Sequence, residues 1–88
     1  MVGKKLVIKG LVQGVGYRYW LRRLAVEKDI KGYVKNLPDG NVEAVLCGGK
    51  EEVEKIIEQC FKGPPSAVVE DIEITNTTCN FKDFSITF

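Results

Sequence analysis

The sequence predicts a two-layer α+β sandwich, in which two helices cover one face of a mostly antiparallel sheet. Apolar residues alternate with polar ones in several short segments, as they do in half-buried strands. In two longer segments they recur every three or four positions, as they do in amphipathic helices. These segments follow the order β-α-β-β-α-β with a short strand added at the end, and this order is typical of a split βαβ arrangement. The 88 residues provide for one domain, residues 1–88.

The first strand and the first helix are joined by a loop that contains Gly14 and Gly16. A strand is predicted over residues 5–12, where alternate apolar residues share one face. A helix is predicted over residues 17–28, because apolar residues there follow the spacing i, i+3, i+4, i+7 and i+8 of one helix face. That face consists of Tyr17, Trp20, Leu21, Leu24 and Ala25.

A hairpin is predicted next, with strands over residues 32–37 and 42–47. The connecting residues Leu-Pro-Asp-Gly-Asn contain strong turn formers. Pro38 fixes its own φ, and the Asp39-Gly40 pair tolerates the positive φ of tight hairpins. The two strands are therefore expected to pair in antiparallel fashion.

A second helix is predicted over residues 50–62, and it ends at Gly63 and the two prolines that follow. Its apolar face has the same spacing as the first and consists of Val53, Ile56, Ile57, Cys60 and Phe61. Two more strands are predicted, over residues 68–75 and 84–88. The complete order of elements predicts a ferredoxin-like sandwich.

Composition excludes several classes of function. The formal net charge is +1, so no overall field attracts nucleic acid or an anionic membrane. No apolar run approaches the roughly 20 residues that a membrane span needs, and the N-terminus lacks the apolar core of a signal peptide. We therefore expect a cytoplasmic protein with no nucleic-acid or membrane partner, and we expect a monomer.

Three cysteines and the lack of histidine limit the chemistry. Cys47, Cys60 and Cys79 are odd in number and have no CxxC spacing, so free thiols are predicted, with Cys60 in the core. The sequence contains no histidine, and so the commonest general base and the commonest metal ligand are both missing. We predict no metal site and no Ser/His/Asp or Cys/His catalytic site.

The loop before the first helix is the main candidate for a functional site. Two glycines allow a sharp turn, and the backbone N–H groups at a helix start form an anion-binding concavity. Arg18 follows in the first helical turn, where a planar guanidinium can bind a phosphoryl group through two parallel hydrogen bonds. The loop matches neither GxGxxG nor a Walker A motif, and a tight strand-to-helix turn explains the two glycines equally well.

Two longer segments carry a more specific pattern. Residues 10–18 read Gly-Leu-Val-Gln-Gly-Val-Gly-Tyr-Arg, and residues 32–43 read Gly-Tyr-Val-Lys-Asn-Leu-Pro-Asp-Gly-Asn-Val-Glu. Together they resemble the signature motifs of the acylphosphatase family, and the similarity continues in residues 63–68 and 84–86. The departures are mild, since tyrosine stands at position 17 where the family more often has phenylalanine, and at position 33 where it often has tryptophan.

The resemblance implies a ferredoxin-like fold and hydrolysis of the carboxyl-phosphate bond in small acyl phosphates, giving a carboxylate and inorganic phosphate. It implies that Arg18 binds the phosphoryl group and that Asn36 holds the attacking water. Backbone N–H groups would complete a phosphate-binding loop, formed by Gln13, Gly14, Val15, Gly16, Tyr17 and Arg18. We expect no cofactor and no metal ion.

Two other functions stay open from the residues alone. The same loop suits a non-catalytic anion- or phosphate-binding regulatory module, because function belongs to sites rather than to folds. The open sheet face of a ferredoxin-like fold also binds single-stranded RNA in some proteins, with Tyr33 as a candidate surface aromatic. The nearly neutral charge and the lack of an RNP1-like motif argue against RNA.

Overall fold

The computed structural model describes residues 1–87, and its two helices pack on one five-stranded sheet. The elements in chain order are β1 (Val2–Leu11), α1 (Tyr17–Glu27), β2 (Lys31–Asn36), β3 (Val42–Gly48), α2 (Lys50–Lys62), β4 (Val68–Asn76) and β5 (Phe84–Thr87). The predicted order of elements and the predicted ferredoxin-like α+β sandwich are confirmed.

The sheet has the strand order β4-β1-β3-β2-β5. Strand β1 lies between β3 and β4 and is antiparallel to both, and β2 is antiparallel to β3. Only β5 runs parallel to its neighbour, β2. The sheet is therefore mixed but mostly antiparallel, as predicted. Because β2 and β3 are adjacent, the hairpin turn lies at the same end of the sheet as the last residue of β2, Asn36.

One apolar core lies between the helices and the sheet. Strands β1 and β3 bury Leu6, Ile8, Ala44 and Leu46 completely, since alternate residues of a strand point to the same side. The helices bury one stripe each, made of Tyr17, Leu21 and Ala25 in α1 and of Val53, Ile56 and Cys60 in α2. The helix periodicity is confirmed except at Phe61, whose side chain is 49% exposed. Phe61 lies in the last turn of α2, at the margin of the buried stripe.

Strand β1 is longer than predicted. It begins at Val2 rather than at residue 5, because the first residues continue the ladder with β3, where Val2 lies opposite Gly48. A register shift between Lys9 and Gly10 interrupts its pairing with β4 near the other end. At the C-terminus, the last residue of the predicted strand 84–88 lies outside the described residues, and β5 ends at Thr87.

The prediction of three free thiols was wrong for two of the cysteines. Cys47 at the end of β3 and Cys79 after β4 form a disulfide, with their Cα atoms 5.8 Å apart. Strands β4 and β5 occupy opposite edges of the sheet, so the segment that joins them crosses the ends of the other strands and passes β3. The lack of CxxC spacing carried no information about this crossing. Cys60 is free and buried, as predicted, and burial raises the pKa of its thiol to about 12.

Among residues 1–87, neither helix has the length and the apolar character that crossing a membrane requires.

We expect Cys79→Ser to lower the free energy of unfolding by about 2–4 kcal/mol, because the disulfide closes a long chain loop and restricts the unfolded state. Urea unfolding under non-reducing conditions measures the difference. In dithiothreitol, the unmodified protein and the variant should unfold at the same urea concentration. A variant as stable as the unmodified protein under both conditions would show that the bond is not formed.

Candidate active site

The loop between β1 and α1 has a backbone that favours glycine at two positions. Gly14 and Gly16 have φ values of 73° and 80°, in the left-handed region where a side chain is strained. A Cβ added at either position would meet no atom within 4 Å. Glycine is therefore needed here for backbone conformation, and the space beside the loop is open to another molecule.

Several backbone donors of this loop are available to a ligand. Helix α1 begins without a side-chain cap, and its first intrahelical bond is donated by Trp20 N–H to the carbonyl of Gly16 at 3.0 Å. Within residues 1–87, the N–H groups of Gly14 to Tyr17 donate no hydrogen bond to the backbone. Unpaired N–H groups and the helix dipole give this end of α1 a positive potential. The loop can therefore bind an anion.

The side chain of Gln13 binds the hairpin turn and does not line the surface of the loop. Its Nε2 donates to the carbonyl oxygens of Leu37 and Asn41 at 2.7 and 2.8 Å. The same two residues close the hairpin turn, since Leu37 N–H donates to Asn41 O at 2.8 Å. One amide thus joins the loop after β1 to the turn after β2, and Asn36 directly precedes that turn.

The two segments enclose a cavity of about 130 Å³. Its lining residues are Val12, Gly14, Gly16, Tyr17, Arg18, Tyr19 and Asn36. The structure thus brings together five of the predicted site residues, from α1, its preceding loop and β2. The other two do not line the cavity, because the Gln13 side chain lies on the turn and Val15 packs against the core.

Two lining residues were not predicted as site residues. Val12 is 1% exposed and forms part of the wall. Tyr19 is 67% exposed and directly follows Arg18 in the first turn of α1. The sequence could have indicated Tyr19 as a site residue, because it lies outside the apolar stripe of α1. An aromatic side chain at that position cannot pack in the core.

The side chain of Asn36 contains a polar atom that is unpaired within the described structure. Its Oδ1 is buried and accepts no hydrogen bond from any of residues 1–87. Most buried polar side-chain atoms have a partner, and an unpaired one costs about 1–3 kcal/mol. Asn36 also lines the cavity, which brings its side chain within reach of a bound molecule.

Arg18 supplies the charge of the cavity. It is half-buried and is the one charged residue among the described residues of the lining. None of these described lining residues carries a carboxylate, so none of their side chains repels an anion. Nor does the described part of the chain hold a group of three or more Cys, Asp or Glu side chains suited to a metal ion.

Tyr17 fixes the start of α1 against α2. Its hydroxyl donates to the carbonyl oxygen of Cys60 at 2.6 Å, and its ring packs edge-on against Trp20 with centroids 5.2 Å apart. Burial is the main reason that the pKa of this phenol is raised, so the hydroxyl stays protonated. Tyr17 therefore forms a wall of the cavity while its hydroxyl is occupied elsewhere.

Comparisons with known proteins show the family to which the chain belongs. A family model for acylphosphatase matches residues 4–86. The chain belongs to the acylphosphatase family. An acylphosphatase of Archaeoglobus fulgidus is 39% identical, with both chains covered completely. One of Caldivirga maquilingensis is 45% identical over 80% of this chain and 75% of its own. At this similarity the protein is a hydrolase with acylphosphatase activity, acting on small acyl phosphates.

Solved structures show the same fold for acylphosphatases. The crystal structure of an acylphosphatase from Bacillus subtilis has a TM-score of 0.95 and 32% identity, and each chain is covered completely. HypF from T. kodakarensis contains a similar region, with a TM-score of 0.88 and 34% identity, which amounts to 12% of that chain. The acylphosphatase fold thus also occurs as a small part of a larger protein.

We expect Gln13→Met to lower the free energy of unfolding by about 1–2 kcal/mol, because two hydrogen bonds between the loop and the turn are lost. The acylphosphatase kcat/KM should fall as well, since the loop is no longer held to the turn beside Asn36. Urea unfolding and steady-state kinetics measure the two effects. The matched control is Gln59→Met on the exposed face of α2, which should change stability by no more than about 0.5 kcal/mol. Equal effects of both substitutions would contradict the role given to Gln13.

Proposed function

We propose that the cavity beside α1 is the acylphosphatase active site, that Arg18 and the loop N–H groups bind the phosphoryl group, and that Asn36 holds the attacking water. The observation that supports the proposal is the cavity itself. Among residues 1–87, its lining includes one cation, Arg18, together with Asn36, whose amide oxygen is buried and unpaired, and loop residues whose backbone N–H groups are unpaired. These are the groups that hydrolysis of an acyl phosphate requires.

Binding of the phosphoryl group follows from charge and geometry. Phosphoryl transfer depends mainly on positioning and on stabilising the charge of the equatorial oxygens. Backbone N–H groups that are already oriented stabilise such charge without reorganisation, and each can contribute about 3 kcal/mol in a suitable site. A guanidinium adds a planar pair of donors that matches two oxygens of one phosphoryl group.

Asn36 is suited to orient the water. A water that donates one hydrogen to Oδ1 would fill the unused acceptor and keep its own lone pairs for attack on phosphorus. The new bond forms between the water oxygen and phosphorus while the bond from phosphorus to the acyl oxygen breaks. The proton of the attacking water passes to an oxygen of the phosphoryl group, so the chain itself need not supply a base.

The leaving group needs no acid. It departs as a carboxylate with the bonding electron pair, and the pKa of a carboxylic acid is about 4, so the anion is stable at neutral pH. No acidic side chain occurs among the lining residues that the structure describes, and the sequence contains no histidine. We propose that hydrolysis is independent of metal ions, because electrostatic stabilisation and positioning suffice for this leaving group.

The two alternative functions, a non-catalytic binding module and RNA binding, have less support than the enzyme. Family membership favours the enzyme over a non-catalytic binding module. RNA binding has little support, because the Tyr33 hydroxyl donates to Glu43 at 2.7 Å and its ring packs against Phe81. That the protein is a monomer in the cytoplasm stays a prediction. Free thiols no longer support a cytoplasmic location, because Cys47 and Cys79 form a disulfide.

Arg18→Lys tests phosphoryl binding. We expect kcat/KM for benzoyl phosphate to fall about 100-fold, because an ammonium keeps the charge but not the planar pair of donors. The inhibition constant of inorganic phosphate should rise in parallel. Phosphate release measured with EDTA present also tests metal independence, and activity that EDTA abolishes would contradict it. The control is Arg23→Lys on the exposed face of α1, with unchanged kinetics expected. Unchanged phosphate inhibition in Arg18→Lys would exclude Arg18 as the phosphate ligand.

Asn36→Ala tests the placement of water. We expect kcat to fall about 100-fold, because a misplaced nucleophile loses most of the benefit of orientation. The inhibition constant of inorganic phosphate should change less than about threefold, as the phosphate ligands remain. Stability should not fall, since Oδ1 has no partner among residues 1–87 to lose. Asn80→Ala, in the exposed segment between β4 and β5, is the control. Loss of phosphate binding in a folded Asn36→Ala protein would place Asn36 among the phosphate ligands instead.

A further inference from the structure

We propose that Tyr19 determines acyl-group specificity, by providing the surface on which a planar, apolar acyl group packs while the phosphoryl group lies in the cavity. This inference rests on the proposed function, because it takes the cavity as the phosphoryl site. It goes beyond that function by assigning the part of the substrate that the phosphoryl ligands do not contact.

The size of the cavity separates the two parts of the substrate. At about 130 Å³, the cavity is well below the roughly 300 Å³ at which ordinary small-molecule pockets begin. A phosphoryl group and its attacking water occupy such a space. An acyl group of more than a few atoms must therefore extend past the mouth of the cavity and contact its rim.

Tyr19 is the large exposed aromatic residue of that rim. It lines the cavity, is 67% exposed and directly follows Arg18. Its side chain makes no hydrogen bond and no aromatic ring contact with the rest of the described chain. A single exposed aromatic residue on a protein surface needs no explanation by itself. Here, however, Tyr19 lines the same cavity as the cation that would bind the phosphoryl group, so it is placed to contact the acyl end of the substrate.

The charges of the lining indicate which acyl groups fit. Among residues 1–87, Arg18 is the one charged residue of the lining, and we assign it to the phosphoryl group. These lining residues offer no second cation for an acyl group that carries another anion, and no carboxylate for one that carries an amine. An aromatic ring instead favours apolar groups, and planar ones most, through offset-stacked or edge-to-face contacts. Benzoyl phosphate has such an acyl group, whereas the methyl group of acetyl phosphate is too small to cover the ring.

The test compares these two substrates on the same variants, so that their different intrinsic reactivities cancel. For Tyr19→Ala we expect the ratio of kcat/KM for benzoyl phosphate to that for acetyl phosphate to fall about five- to tenfold, mainly through a higher KM for benzoyl phosphate. Tyr19→Phe should keep the ratio of the unmodified protein, because the ring remains. Val26→Ala is the control, since Val26 is also exposed on α1 but lies about 10 Å further along the helix, and it should change neither substrate.

A second measurement separates acyl recognition from a structural effect on Arg18. Inorganic phosphate has no acyl group, so its inhibition constant should be the same for Tyr19→Ala and the unmodified protein. If Tyr19→Ala lowers kcat/KM equally for both substrates and also weakens inhibition by phosphate, Tyr19 supports the phosphoryl site and does not contact the acyl group. This result overturns the proposal. An unchanged substrate ratio in Tyr19→Ala overturns it as well.

The same data distinguish a failure of this inference from a failure of the proposed function. If inorganic phosphate does not compete with either substrate in the unmodified protein, the cavity is not the phosphoryl site and both proposals fall. If phosphate competes normally but the ratio does not respond to Tyr19→Ala, the phosphoryl site stands and only the role of Tyr19 is rejected.

Discussion

The geometry of the site depends on the side-chain amide of Gln13. Its two hydrogen bonds join chain segments that are 24 and 28 residues apart in sequence, the loop after β1 and the turn after β2. One segment carries the backbone donors and Arg18, and the other is preceded by Asn36. The β1–β3 and β2–β3 ladders bring these segments to the same end of the sheet, but ladders do not fix the positions of loops. The Gln13 amide supplies that constraint.

A second constraint acts on α1 from the opposite side. The buried hydroxyl of Tyr17 donates to the backbone of Cys60, so the first turn of α1 is held against the end of α2. Arg22, one turn further along, donates from Nε to the carbonyl oxygen of Phe84 in β5 at 3.1 Å. The start of α1 is therefore fixed from α2 and from the edge of the sheet. Since Arg18 lies between Tyr17 and Arg22, its backbone position is well determined, as the proposed phosphoryl site requires.

Much of the fold could be predicted because the periodic pattern of apolar residues reports directly on which side of an element is buried. Leu6 and Ile8 in β1, and Leu21 and Ala25 in α1, lie in the core as their spacing indicates. Five of the seven predicted site residues line the cavity, and some of them have local sequence signals, such as glycines at positive φ and an arginine at a helix start. The exact ends of strands were less predictable, because β1 extends to Val2 through pairing with another strand.

What could not be predicted depends on contacts between distant segments. The pairing of Cys47 with Cys79 follows from the path of the chain between the two edges of the sheet, and no spacing rule contains that path. Gln13 was predicted to contribute its backbone N–H to the phosphate-binding loop. Its side-chain amide donates to the hairpin turn, and the sequence did not indicate this contact. The unpaired oxygen of Asn36 is a property of the folded surroundings, and no sequence pattern reports it.

The chemistry of the leaving group explains why so few kinds of side chain are sufficient. An alcohol that leaves a phosphate ester needs a proton, because an alkoxide is a much stronger base than a carboxylate, and a general acid typically contributes a factor of about 100 to 10,000. The described lining residues of the proposed active site supply one guanidinium, one amide, two phenols and backbone donors, but no carboxylic acid or imidazolium that could protonate the leaving group. The proposed site therefore favours acyl phosphates over phosphate esters, and selectivity for the bond to be broken comes from the chemistry of the leaving group rather than from a contact that recognises it.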